Sequence, residues 1–61
     1  MNTYIIIDHD TFGYTQAKPF DDLAEAVEFA VSFAESRLID KVELYQYDDV
    51  LGYLLIKRYK G

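Results

Sequence analysis

Two turn signals bracket one helix-forming stretch, and this restricts the fold more than any other feature of the chain. The first is Asp8-His9-Asp10 with Gly13 close behind; the second is Asp48-Asp49 with Gly52. At an offset of 39 residues, Asp10 falls on Asp49, Gly13 on Gly52, Tyr14 on Tyr53 and Lys18 on Lys57. A reversing chain needs polar residues going in and a residue tolerant of positive φ coming out, which is glycine's particular freedom. Shared turn chemistry accounts for the likeness, with a true internal duplication as the alternative. The pattern predicts two hairpins around one helix.

The segments beside these turns fit that reading. Thr3-Tyr4-Ile5-Ile6-Ile7 is rich in strand formers, and three consecutive isoleucines suggest a strand covered on both faces. Residues 12–18 resume an extended pattern up to Pro19, which biases Lys18 away from helix. Asp22 and Glu25 have capping-box spacing, and Phe20 sits upstream where an apolar residue steadies the start of a helix. Leu23, Ala26, Val27, Ala30, Val31, Phe33, Ala34 and Leu38 share one helical face, with Glu25, Glu28, Ser32 and Glu35 opposite. Phe29 falls at the border, nearer the acids. This predicts a helix of roughly 18 residues ending near 38–40. The small residues Ala26, Ala30 and Ala34 would let it lie close on a sheet. Residues 41–47 and 51–60 then read as two strands.

The expected fold is α+β, ββαββ: a four-stranded mixed sheet with the helix on one face and the first and last strands parallel at its centre. This arrangement is β-grasp-like. In element order and length the chain resembles the small immunoglobulin-binding domains of bacterial surface proteins, and Tyr47-Asp48-Asp49 with the loop to Gly52 resembles their second hairpin. The resemblance implies an architecture, one that ubiquitin-like proteins share; immunoglobulin binding is not carried over, because a fold does not fix a function. If residues 12–18 form only a loop, the alternative is βαββ with three strands.

At 61 residues the chain is expected to form a single small domain, 1–61, of marginal stability. It has no cysteine, so disulfides and thiolate metal sites are excluded. No apolar run approaches the ~20 residues that span a membrane. Met1-Asn2-Thr3 leads straight into a strand pattern without the basic and apolar regions of a signal peptide, so a cytoplasmic location is expected.

Charge is uneven. Residues 20–40 hold six acids (Asp21, Asp22, Glu25, Glu28, Glu35, Asp40) and one base, Arg37, and so carry the whole net charge of −5. Such a surface repels phosphate, so direct nucleic-acid binding is not expected.

Asp8-His9-Asp10 is the one stretch that suggests metal or acid–base chemistry. Neighbouring side chains on a strand point to opposite faces, and no second histidine or cysteine completes a site. Ser32 and Ser36 have no histidine at helical spacing, and three scattered glycines make no phosphate loop. No catalytic, cofactor or metal residue is assigned, and no enzyme is expected.

Surface remains. Alternation puts Tyr45 and Tyr47 on one face of the third strand; Tyr53, Leu55, Lys57 and Tyr59 share a face of the fourth. One helix covers one side of a sheet, so the other should expose part of Leu44, Tyr53, Leu55 and Tyr59 beside Ile6, with a basic rim suited to a protein interface. Glu25 and Glu28, with Phe29 as an apolar anchor, form a second candidate surface. The expectation is a small acidic protein-binding module, similar in size and charge to the inhibitors that phages and mobile elements direct at host proteins. The alternatives are a self-associating homodimer, or an acidic mimic of nucleic-acid phosphates.

Overall fold

The computed structural model describes residues 3–61; the expectation resting on Met1 and Asn2 lies outside them. The elements run β1 (Tyr4–Asp10), β2 (Thr15–Phe20), α1 (Leu23–Ala34), β3 (Ile39–Asp48) and β4 (Gly52–Lys60). The fold is α+β with ββαββ order, and β2 is a true strand, which disposes of the three-stranded alternative. No helix is long and apolar enough to cross a membrane among the described residues.

The strand arrangement departs from the expected one. The sheet runs β2-β1-β3-β4, and every neighbouring pair is antiparallel. The parallel contact between β1 and β4 expected at the centre of a mixed, β-grasp-like sheet is absent; β3 takes the place beside β1, and β4 is an edge. Two residue choices explain this. Lys57, Arg58 and Lys60 give β4 the charges that edge strands carry against further pairing, whereas Val42 and Leu44 give β3 the apolar side chains of an interior position. At the opposite edge, β2 contains Pro19, which has no N–H for a second ladder.

Both hairpins close through an aspartate and a glycine, but the first turn begins later than the sequence suggests: Asp8 and His9 continue β1, and Asp8 is buried rather than part of a solvated turn, because pairing with both β2 and β3 carries the strand on to Asp10. The Oδ1 of Asp10 accepts from the N–H groups of Phe12 and Tyr14, both at 2.9 Å. The Oδ1 of Asp48 accepts from Val50 and Leu51 at 2.8 and 2.9 Å. Those two bonds hold the Asp48 carboxyl below the ordinary aspartate range, Leu51 contributing most. Gly13 and Gly52 have φ of +93° and +81°. The active aspartate of the second turn is Asp48, not the Asp49 that the offset of 39 aligned, so the loops differ by a residue. The likeness is one of turn chemistry.

The helix is shorter than predicted, 12 residues against roughly 18. Asp22 caps it, accepting from the Glu25 N–H at 3.1 Å, which is one half of the predicted capping box. Glu35 ends it, and Ser36–Leu38 turn the chain into β3. The core is Ile6, Ala26, Ala30, Val42 and Leu44. Ala26 and Ala30 bring the helix backbone down onto β1 and β3.

The helix meets the core through Ala26 and Ala30, flanked by half-buried Val27, Phe29, Phe33 and Ala34; Phe29 joins the face drawn from the sequence, while Leu23, Val31 and Leu38 fall outside it. Phe29 stacks on Phe33 with ring centroids 4.1 Å apart and meets Phe20 at 5.2 Å. This ladder of three aromatic rings buries more area than Leu23 or Val31 could, and it rotates the helix so that those two are left half exposed.

Candidate functional site

With α1 on one side, the other side of the sheet carries no covering element among the described residues. Alternation along β1 sends Ile6 and Asp8 beneath the helix and Ile5 and Ile7 to the open side. Cross-strand register places Ile5 beside Tyr45 and Ile7 beside Glu43; on β4, Leu55 lies opposite Tyr45 and Tyr53 opposite Tyr47. The rings of Tyr47 and Tyr53 meet edge to face at 5.3 Å. Ile5, Ile7, Tyr45 and Tyr53 line a shallow depression of about 290 Å³.

At one end of this face lies an ion network. The side chain of Glu43 is only 6% exposed although it sits on the uncovered side. Its Oε2 accepts from Arg58, with Nε and Nη2 both at 3.0 Å, and its Oε1 accepts from the Tyr45 hydroxyl at 3.1 Å. Lys41 Nζ stands 3.8 Å away. Burial pushes the Glu43 carboxyl up, but the bonds from Arg58 and Tyr45, and the charge of Lys41, outweigh it and hold the pKa below the ordinary glutamate value. Tyr45 moves the other way, raised by burial and by its bond to the glutamate. The network ties β3 to β4 and holds the Tyr45 side chain at the depression that Ile5 and Ile7 also line.

Arg58 reaches this face because β4 is irregular. The register with β3 shifts between Leu44 and Tyr45 and again between Val42 and Glu43, so β4 has an extra residue at Ile56 and another at Tyr59. Each bulge reverses the alternation. Lys57 pairs with Leu44 and so stands on the helix side, its Nζ 4.9 Å from the Tyr59 ring centroid, while Arg58 pairs with Glu43 on the open side.

The expected partner-binding residues therefore divide. Tyr53 and Leu55 lie on the open face, 42% and 45% exposed. Leu44 does not: it is 2% exposed in the core, as is Ile6 at 0%. Tyr59 is half-buried and packs against the core. Glu25 and Glu28 are exposed on the outer side of α1, but Phe29 is turned inward, with Lys18 Nζ 5.4 Å from its ring centroid, and offers no anchor beside them. Sequence reasoning missed Ile5, Ile7 and Glu43, and placed Arg58 only in a basic rim with Lys57 and Lys60. For the isoleucines the signal was strict alternation about the buried Ile6; for Arg58 the bulges hid its place on the open face.

A second feature lies on the helix side. Asp8 is 2% exposed, and its Oδ2 has no hydrogen-bond partner among the described residues. Burial is the main cause of a raised Asp8 pKa; Asp10 adds to it, while His9 and Lys18 oppose it. His9 points to the other side of the sheet, its Nδ1 2.9 Å from the Thr15 hydroxyl. Among the described residues no three His, Cys, Asp or Glu side chains converge as a metal group would require.

No protein-family model, curated protein or solved structure matches the chain.

Proposed function

We propose that the chain is a non-enzymatic protein-binding module, a small regulator or inhibitor that docks on another protein through its open sheet face. The observation that supports this reading is the uncovered set Ile5, Ile7, Tyr45, Tyr53 and Leu55, held rigid by the Glu43–Arg58 network. Tyrosine, arginine and aliphatic side chains around a depression have the composition of interface hot spots. Burying them would drive association, and the acidic helix would contribute approach rate and selectivity. Phosphate mimicry is the weaker reading, because Phe29 is packed inside and supplies no apolar anchor beside Glu25 and Glu28. Pairing of two β4 edges is disfavoured by Lys57, Arg58 and Lys60.

The test is affinity capture on the immobilised chain from lysate of the source organism and, if that is a virus, of its host, eluted in salt steps. The sheet-face reading predicts a protein retained beyond about 0.5 M salt, where charges are screened within a few Å. It should be retained equally by Glu25→Gln/Glu28→Gln and lost by Tyr53→Ala/Leu55→Ala. Release at low salt, with loss in the glutamine variant, would favour mimicry. A dimer mass in sedimentation with nothing captured would favour self-association.

A further inference from the structure

The buried carboxylate of Asp8 faces a cavity that the sheet-face reading does not use. The cavity measures about 310 Å³ and lies on the helix side, where the first hairpin meets the end of α1. That size is at the small end of the range for ligand pockets. Phe12, Phe33, Leu38 and Ile39 form its apolar walls, and Asp8, Asp10, Gln16 and Ser36 supply its polar groups. The walls are tied together: the Thr11 N–H donates to the Leu38 carbonyl at 2.9 Å, and Asp10 Oδ1 is engaged by the turn it closes.

The polar groups of the cavity point to one kind of guest. Two carboxylates line it and no lysine or arginine does. Asp10 Oδ1 is committed to the turn and the Ser36 hydroxyl accepts from the Leu38 N–H, but Asp8 Oδ2 is buried and unpartnered. The last turn of α1 borders the space and adds the negative end of the helix dipole. Lys60 already answers that end at the Ser36 carbonyl, 2.9 Å away, and the Lys18 ammonium lies over Phe29. An N–H donor carrying positive charge would complete the Asp8 carboxylate, and an apolar stem would match the walls.

We infer that this cavity binds an organic cation, a guanidinium or ammonium group on a short apolar stem, with Asp8 as the accepting carboxylate. The cation could come as a free amine or as an arginine or lysine side chain of a bound protein. The site stands apart from the open face, so the inference does not rest on the proposed function.

The test is titration of the isotopically labelled chain with n-butylguanidinium chloride at neutral pH, against sodium chloride at matched ionic strength. The carboxyl carbon of Asp8 and the side chains of Phe33, Leu38 and Ile39 should shift together and saturate. Asp8→Asn should weaken binding at least tenfold. Gln16→Lys, which tethers an ammonium across from Asp8, should do the same while leaving the fold intact, so the test does not depend on Asp8 variants alone. If Nα-acetyl-arginine amide binds as well as the free guanidinium, the site admits a protein side chain; if only the free cation binds, the guest is a small molecule. Absence of a saturable shift at Asp8 up to about 50 mM, well above the millimolar constants that fragments commonly reach, would overturn the inference, as would equal binding by Asp8→Asn.

Discussion

Replacing Arg58 by methionine isolates the interaction that orders the open face. Arg58 places both Nε and Nη2 3.0 Å from Glu43 Oε2, and the glutamate is almost wholly buried while half of the arginine side chain is exposed. An exposed pair contributes about 0–1 kcal/mol, and stripping a buried charge of its partner costs about 3–5 kcal/mol. This pair lies between those limits: the carboxylate is desolvated, the guanidinium is half hydrated, and Tyr45 and Lys41 remain beside Glu43 after the change. The expected loss is about 2 kcal/mol. Methionine keeps the apolar stem, so lost packing adds little. A domain of this length has about 3–9 kcal/mol in total, so the urea midpoint followed by circular dichroism should fall by about a fifth or more. With Glu43→Gln already present, the same replacement should cost under about 1 kcal/mol, because no charge is left stranded. An Arg58→Met midpoint equal to wild type, or an equal loss in both backgrounds, would refute the reasoning.

Three further outcomes follow from the same geometry. Leu44→Ala should cost about 2–5 kcal/mol and leave much of the chain unfolded, whereas Leu55→Ala should cost under about 1 kcal/mol, since one side chain is core and the other open face; thermal melts compare them directly. Gly13→Ala and Gly52→Ala should each cost about 1 kcal/mol through positive φ alone, because nothing lies within 4 Å of an added Cβ. The two turns lie at opposite ends of the sheet, so the losses should add in a urea titration of the double variant. Acid titration of stability should separate two carboxyls. The lowered Glu43 pKa contributes stability that is present above its unfolded value of 4.5 and is lost as pH falls through the folded value, so Glu43→Gln should be less stable than wild type at pH 7 and the gap should close in acid. The raised Asp8 pKa has the opposite sign: the folded chain gains stability as pH falls through it, so Asp8→Asn should be the more stable form at pH 7, with an advantage that shrinks in acid.

Much of the fold was legible in local chemistry. Asp22, Gly13 and Gly52 announce a cap and two turns because each satisfies a backbone demand that few residue types can meet. Strand order was not legible that way. Placing β1 beside β4 followed from the isoleucine run and a familiar architecture, while the edge charges Lys57, Arg58 and Lys60 and the edge proline Pro19 carried the contrary information. The position of Phe29 depended on Phe20 and Phe33, partners whose approach only the folded chain defines. The open face was half legible: Tyr53 and Leu55 follow from simple alternation, but the bulges at Ile56 and Tyr59 move Tyr59 inward and bring Arg58 out, and a period of two has no place for an inserted residue.

Docking of another protein on the open sheet face is best checked by mapping the chain's side-chain resonances in complex with the protein it captures. Signals of Ile5, Ile7, Tyr45, Tyr53 and Leu55 should shift or broaden on binding, while those of the outer face of α1 around Glu25 and Glu28 keep their free positions. Shifts confined to the helix, with the sheet-face signals unmoved, would contradict it.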